Sequence, residues 1–367
     1  MKASATIIQP RPGILKIPLY ESGGKSIQNF KNPIKLSSNE NPWGPGQSAI
    51  TAFVNAQRSL STYPDSSHSK LRRAIGRVND IDENRVICGA GSDEIIHFLC
   101  QCYAGSGDEV IHTEHGFLMY KISALAAGAI PISVPESNRR ANIHNILQAC
   151  NERTKLIFLA NPNNPTGTLI SAEDVVELID GIPRHTLLIM DGAYAEYIDK
   201  FDASLTMAEK HHNLFVLRTF SKIHGLASLR VGWGYGAQNV IQTLLRVKGP
   251  FNISLAGQEA ATAAVLDTDH VKSSRIKNLD QRDKLVKELR KIGISCDRSF
   301  ANFVLARFRN SSISAAADEF LKLNGLIVRD TKNYGLESAL RISVGTAEDC
   351  EKVVSHLKQF QENMDAV

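Results

Sequence analysis

Short apolar runs that end in small or polar residues constrain this chain more than any other feature. "NRVICGAG", "GDEVIH", "KLIFLAN", "TLLIMDGAY" and "NLFVLRTF" each have the length and composition of a strand. The segments between them are long enough for crossover helices, and "SDEIIHFLCQCY" places apolar residues at helical spacing. Strands that are apolar throughout and alternate with helices predict an α/β domain, its mainly parallel sheet flanked by helices on both faces. From about residue 270 the pattern changes. A charged helix, "RIKNLDQRDKLVKELRKIG", precedes "ANFVLARF", another helix, then "GLIVRD" and "ALRISVG", an order that suits a smaller α+β domain. The first forty-odd residues, rich in Pro, Gly, Ser and Asn, read as an extended N-terminal arm. The expected division is an arm over 1–45, a large domain over 46–255 and a small C-terminal domain over 256–367.

Charge and cysteine content exclude several functions. A net charge of +4 over 367 residues is small and gives no support for nucleic-acid binding. The start, "MKASATIIQPRPG", has no apolar core of a signal peptide, and no apolar run reaches the length of a membrane span. The six cysteines are scattered without zinc-ligand spacing, so reduced thiols, no metal and a cytoplasmic protein are expected.

Four polar clusters fall at predicted strand ends, where open α/β sheets bind ligands. In "GAGSDE" glycines precede a helix whose unpaired N–H groups, near Ser92, suit a phosphate; an ordinary glycine turn capped by Ser92 is the plainer alternative. "NPNNPTG" leaves its strand abruptly, with Asn164 just before Pro165. Asp191 closes the apolar "TLLIMD" and wants a cationic partner such as a pyridinium N–H; Tyr194, three residues on, can reach that ring's phenolic oxygen. In "TFSK", Lys222 offers an amine that can condense with an aldehyde, and Ser221 and Arg230 can help hold a phosphate. An aldehyde, a pyridine ring and a phosphate together describe pyridoxal 5′-phosphate.

The same stretches resemble the fold-type I pyridoxal-phosphate aminotransferases: "SKIHGLASLRVGWGYG", "NPNNPTG" and the Asp-x-x-Tyr of "DGAY" carry the likeness. "KLSSNENPWGP", "YPD", "GSDE" and "GLIVRDTKNYGLESALRISVGTAED" narrow it to the histidinol-phosphate aminotransferase branch and extend it over almost the whole chain. The resemblance implies catalytic roles for Lys222, Asp191 and Tyr194, with Lys222 carrying the cofactor, Asp191 on its pyridinium nitrogen, and Asn164 and Tyr194 on its ring oxygen. It implies that the amides of Ser92 and Asp93, with Thr219, Ser221 and Arg230, hold the cofactor phosphate, and that Tyr63 reaches it from a second subunit of a homodimer with shared active sites. Phe117 would stack on the ring, Arg329 and Arg341 would hold the substrate's anionic groups, and Tyr20 and Asn41 would line the substrate end.

The implied reaction exchanges an amino group between a phosphorylated amino alcohol, histidinol phosphate, and 2-oxoglutarate, with glutamate as the usual donor. An aromatic-amino-acid aminotransferase, a threonine-phosphate decarboxylase and a non-catalytic regulator on the same fold remain alternatives at this level. Ala90, Gly192 and the His115-Gly116 pair depart from residues common in the family, and "PLYESGGK" lacks an expected proline.

Overall fold

The computed structural model describes residues 8–11, 13–19, 24, 27, 30–199 and 204–365. Its strands, in chain order, are β1 (Ile34–Lys35), β2 (Val86–Gly89), β3 (Glu109–Thr113), β4 (Ile130–Val134), β5 (Thr154–Ala160), β6 (Leu187–Asp191), β7 (Leu214–Thr219), β8 (Gly232–Tyr235), β9 (Ser295–Cys296), β10 (Phe303–Arg307), β11 (Leu326–Ile327), β12 (Arg329–Asp330) and β13 (Ala339–Ser343). Seven of them form one sheet in the order β2-β8-β7-β6-β5-β3-β4. Its neighbours run parallel except where β8 lies antiparallel to β2 and β7. The carboxyl ends of β2, β3, β5, β6 and β7 therefore share one edge.

Strand alternation explains why the apolar runs are continuous. Ile157, Leu159, Leu188, Met190 and Val216 face one way, onto the helices Ser69–Asn79, Ala172–Gly181 and Leu255–Leu266. Leu156, Phe158, Ile189, Phe215 and Leu217 face the other, onto Ser92–Tyr103, Leu118–Ala127 and Gln238–Val247. With both faces covered, successive residues must all be apolar. Truncating a ring such as Phe215 in this core costs about 3–5 kcal/mol.

Two strands of this sheet go beyond the five expected. β4 is an exposed edge strand containing Pro131, so it lacks the apolar signature of its neighbours. β8, "GWGY", is disguised by glycine. A Cβ at Gly234 would lie 2.5 Å from the Phe215 ring, so only glycine lets β8 approach β7 there.

The smaller sheet is antiparallel in the order β12-β13-β10-β9. It packs Val304, Ala306, Leu340 and Ile342 against the helices Thr268–Lys291, Ser311–Leu323 and Ala347–Asp365. The helix Leu255–Leu266, expected from the sequence to open the small domain, instead buries Ala260, Ala261, Ala264 and Val265 in the core of the large sheet. Part of the expected arm is likewise drawn in. β1 pairs in parallel with β11, and the Ser343 N–H donates to the Leu36 carbonyl at 2.9 Å. That stitching carries residues 37–40 across the carboxyl edge of the large sheet.

Among the described residues no helix is long and apolar enough to cross a membrane, and the six cysteines are unpaired.

Candidate active site

A cavity of about 440 Å³ opens at that shared edge, between the large sheet, the small sheet and residues 35–40. Each strand end supplies it with a residue: Ser92 and Asp93 after β2, Phe117 after β3, Asn164 after β5, Asp191 and Tyr194 from β6, and Thr219, Ser221 and Lys222 from β7. The small sheet adds Arg329 and Arg341, paired in register across β12 and β13. The four polar clusters singled out in the sequence thus converge on one volume, of a size suited to a small ligand.

Lys222 stands at the centre. Its Nζ donates to the Ser38 carbonyl at 3.1 Å and lies 5.7 Å above the Tyr194 ring. Burial, with the Arg341 guanidinium adding to it, pulls its pKa down to about 8. A lysine so placed is a neutral amine at mildly alkaline pH, when an exposed lysine is still charged. The backbone arrangement after Lys222 is fixed by a tight approach: Gly225, at φ 69°, faces the Gly44–Pro45 backbone at 2.5–2.6 Å from where a Cβ would sit. Asn41 acts on the same turn. It does not line the cavity as expected, because its amide donates to the Ile223 carbonyl at 2.8 Å and to Ser274 Oγ at 3.3 Å.

Asp191 is buried and accepts from the Tyr120 hydroxyl at 2.7 Å and from the Ala193 N–H at 3.0 Å. Burial raises its pKa; those two hydrogen bonds act against the rise. Tyr120, absent from the sequence-level set, is itself fully buried and stacks on Phe158 at 4.8 Å. Its place one helical turn beyond Phe117, as an aromatic with a polar tip, was the one signal available. Phe117 lies edge-on to it at 5.8 Å.

At one end the helix Ser92–Tyr103 points its amino terminus into the cavity, and no side chain caps it. Arg230 leans over this end. It donates to Ser221 Oγ at 3.0 Å and to Asp93 Oδ2 at 3.2 Å. A Cβ at Gly91, where φ is 81°, would overlap the Arg230 guanidinium, and one at Gly232 would overlap the Ser92 amide nitrogen. The glycines therefore keep open a cradle of N–H groups, hydroxyls and a guanidinium, which is the donor set of a phosphate site. Thr219 stands beside it and accepts from the Ser221 N–H at 3.1 Å.

At the other end Arg341 is buried against Phe303, its guanidinium 5.5 Å from the ring. One Nη donates to Asn164 Oδ1 at 2.5 Å and the other to the Ser37 carbonyl at 2.7 Å. Its buried Nε has no partner among the described residues. The cavity so has two cationic ends, with an amine, a carboxylate and a phenol between them. Tyr194 is held there by Asn39, whose Nδ2 donates to its hydroxyl at 2.9 Å. Asn39 was also absent from the expected set.

Two expected residues lie elsewhere. Tyr63 is 81% exposed and stacks on Phe251 at 4.4 Å, outside the cavity of its own chain. Tyr20 lies outside the described residues.

Three of the departures noted in the sequence sit in defined local contacts. A side chain at Gly192 would overlap Arg218, which is buried and faces Glu196 at 3.8 Å. The Ala90 N–H donates to Glu94, which also takes a bond from Asn252. His115 Nδ1 meets the Tyr334 carbonyl at 2.7 Å, joining the Phe117 loop to the small domain.

Fold and site together define a group-transfer enzyme built around a buried amine and two cationic ends. The family model "Aminotransferase class I and II" matches residues 31–357. The chain is 50% identical over 356 residues to the histidinol-phosphate aminotransferase of Ruegeria sp. (strain TM1040), covering 97% of this chain and 98% of that one. It is 47% identical over 360 residues to the enzyme of that name from Paracoccus denitrificans (strain Pd 1222), covering 98% of both. Among solved structures, the histidinol-phosphate aminotransferase from Sinorhizobium meliloti in complex with pyridoxal-5′-phosphate superposes with a TM-score of 0.90 at 24% identity, covering 99% of each chain. The aspartate aminotransferase from Thermus thermophilus with maleate gives 0.80 at 20% identity, covering 90% of this chain and 92% of that one. The chain belongs to the class I and II aminotransferase family, within its histidinol-phosphate aminotransferase group.

Proposed function

We propose that the cavity holds pyridoxal 5′-phosphate and transfers an amino group between histidinol phosphate and 2-oxoglutarate, giving imidazole acetol phosphate and glutamate, with the reverse direction equally open. The observation that carries this is the position of Lys222, a buried amine with a depressed pKa in one cavity with an uncapped helix terminus and a buried arginine. The donor set around Ser92, Ser221 and Arg230 fits the cofactor phosphate, since glycine at 91 and 232 lets the Arg230 guanidinium and the Ser92 amide gather there. Asp191, a buried carboxylate whose pKa burial raises, fits the pyridinium N–H as a directly bonded cationic partner.

When bound, the cofactor supplies an electron-withdrawing ring that stabilises negative charge at the substrate carbon bearing nitrogen. The chain's own residues do the rest. Lys222 would hold the cofactor through its amine, and that amine, when free, would take and return the proton at the substrate carbon bearing nitrogen. A base near pKa 8 is well matched to that exchange. Asp191 would keep the ring nitrogen protonated, Tyr194 and Asn164 would hold the ring oxygen, and Phe117 would cover the ring. Arg341, with Arg329 beside it on β12, receives the substrate's phosphate in one half-reaction and a carboxylate of glutamate in the other, because a guanidinium matches both kinds of oxygen.

The functional unit in this reading is a homodimer in the cytoplasm, with Tyr63 of the partner subunit reaching the cofactor phosphate. Tyr63 and Phe251 are exposed, as are Ile50, Phe53, Val54 and Leu60, an apolar patch of the kind that covers a subunit contact. Substrate identity is tested by mixing the cofactor-loaded protein with histidinol phosphate, without a keto acid, beside a phenylalanine control. Rapid change of the visible absorbance with histidinol phosphate alone is expected. Change with phenylalanine alone would reassign the substrate to aromatic amino acids, and carbon dioxide release from threonine phosphate would reassign the reaction.

A further inference from the structure

Asn39 sits where residues 35–40, the large sheet and the small sheet meet. It is buried, with φ at 55°, a left-handed conformation that asparagine tolerates better than most residues. Four hydrogen bonds converge on it. Its N–H donates to Ser343 Oγ at 2.8 Å, and the Ser343 hydroxyl donates to its Oδ1 at 2.9 Å. Asn302 donates to its carbonyl at 3.0 Å, and its own Nδ2 donates to the Tyr194 hydroxyl at 2.9 Å.

These bonds fix which way the amide faces. Ser343 Oγ already accepts a backbone N–H, so its single proton needs an acceptor, and Asn39 Oδ1 is in reach. With Oδ1 held toward Ser343, Nδ2 must face Tyr194. The Tyr194 oxygen then receives an N–H on one side and keeps its own proton for something else. Arg341, beside the same ring, is a donor only and cannot take that proton. Asp191 is the nearby anion, and its oxygens already accept from Tyr120 and Ala193. Tyr334 is the remaining titratable neighbour, and Phe303 packs edge-on at 5.2 Å.

We propose that Asn39 is a positioning residue that aims the Tyr194 hydroxyl proton into the cavity, at an oxygen of the bound cofactor; this rests on the cofactor reading above. Ser343 belongs to the same strand as Arg341, two residues on, so the small sheet that carries the anion site also sets the orientation of the phenol.

The test is a pH titration of the visible absorbance of the cofactor-loaded protein. A hydroxyl donated to a ring oxygen stabilises its anionic form and holds the absorbance midpoint low. Asn39→Asp presents a carboxylate that draws the Tyr194 proton away, and the midpoint is expected to rise by about 1 pH unit, a tenfold change in the equilibrium. Tyr194→Phe should raise it comparably. The double variant should rise no further than Tyr194→Phe, which separates loss of the donor from the added charge of the aspartate. Ser343→Ala, which frees the amide to rotate, should give a smaller rise and decides the matter if Asn39→Asp does not fold. A midpoint unmoved by Asn39→Asp and Ser343→Ala but moved by Tyr194→Phe overturns the proposal and leaves the cofactor reading standing. Full additivity in the double variant also overturns it. A loaded protein without a visible band overturns both.

Discussion

The two ends of the cavity are built differently. The end around Ser92, Ser221 and Arg230 belongs wholly to the large sheet: a helix terminus and a loop two strands away, brought close because glycine carries no side chain. The end around Arg341 joins three distant pieces, with Arg341 bonded to Ser37 and to Asn164, so that residues 37, 164 and 341 meet at one side chain. The first can form once one domain has folded. The second exists only when residues 34–39 and the small sheet are docked on the large one. In the proposed reading the first end anchors the cofactor phosphate and the second receives a group that comes and goes.

Variants at the two ends and between them can break that contrast. Lys222→Ala, at the centre, is expected to lower turnover by roughly 10³-fold or more, in the range assigned to a lost general base with covalent attachment removed besides, while cofactor still binds through its phosphate. Steady-state rates beside an absorbance measurement of bound cofactor check both halves. Arg341→Ala should raise KM for histidinol phosphate and for glutamate by roughly 30-fold or more, from the loss of a buried charge-assisted pair, with cofactor affinity unchanged. Arg230→Ala should do the reverse, weakening cofactor binding by roughly tenfold with little change in either substrate KM; its side chain is half exposed and shares the phosphate with backbone donors. If both variants alter the same constant, the division of labour is wrong.

Tyr120→Phe is the smallest of the set. It removes a bond that holds the Asp191 carboxylate charged, so cofactor affinity should fall by roughly threefold to tenfold. A pH series adds a check on the centre. Capture of added cofactor by the apoprotein needs the neutral Lys222 amine, so its rate should climb through about pH 8 and level off above. A rate still climbing steeply toward pH 10 would mean that the amine is not desolvated.

The same contrast decides what could be read from the sequence. Lys222, Asp191, Asn164 and the "GAGSDE" turn each end an apolar strand, and a parallel sheet brings such ends together whatever its strand order. The central residues were therefore legible as a set. Tyr120 and Asn39 were not, because neither ends a strand of the large sheet, and each matters through long-range bonds: Tyr120 to Asp191 over 71 residues, Asn39 to Tyr194 over 155 and to Ser343 over 304. Asn41 misled for a related reason. A motif places a residue near the site, but only the packed loop reveals that its amide faces Ile223. In the fold, β8 was hidden because close approach to Phe215 demands glycine, which carries no strand signal, and β4 because an exposed edge needs no apolar face. The docking of the helix Leu255–Leu266 against the large core was beyond a pattern argument, since its alanines fit either core.

The most direct test of the central claim is borohydride reduction of the cofactor-loaded protein, followed by digestion and mass spectrometry of its peptides. Reduction makes the link between cofactor and amine permanent. The added pyridoxyl phosphate is expected on the peptide containing Lys222, and is expected to be absent when the Lys222→Ala variant is loaded with the same cofactor and reduced in the same way. Label on Lys35, the other lysine at the cavity wall, or on no lysine in a protein that still transaminates, would contradict it.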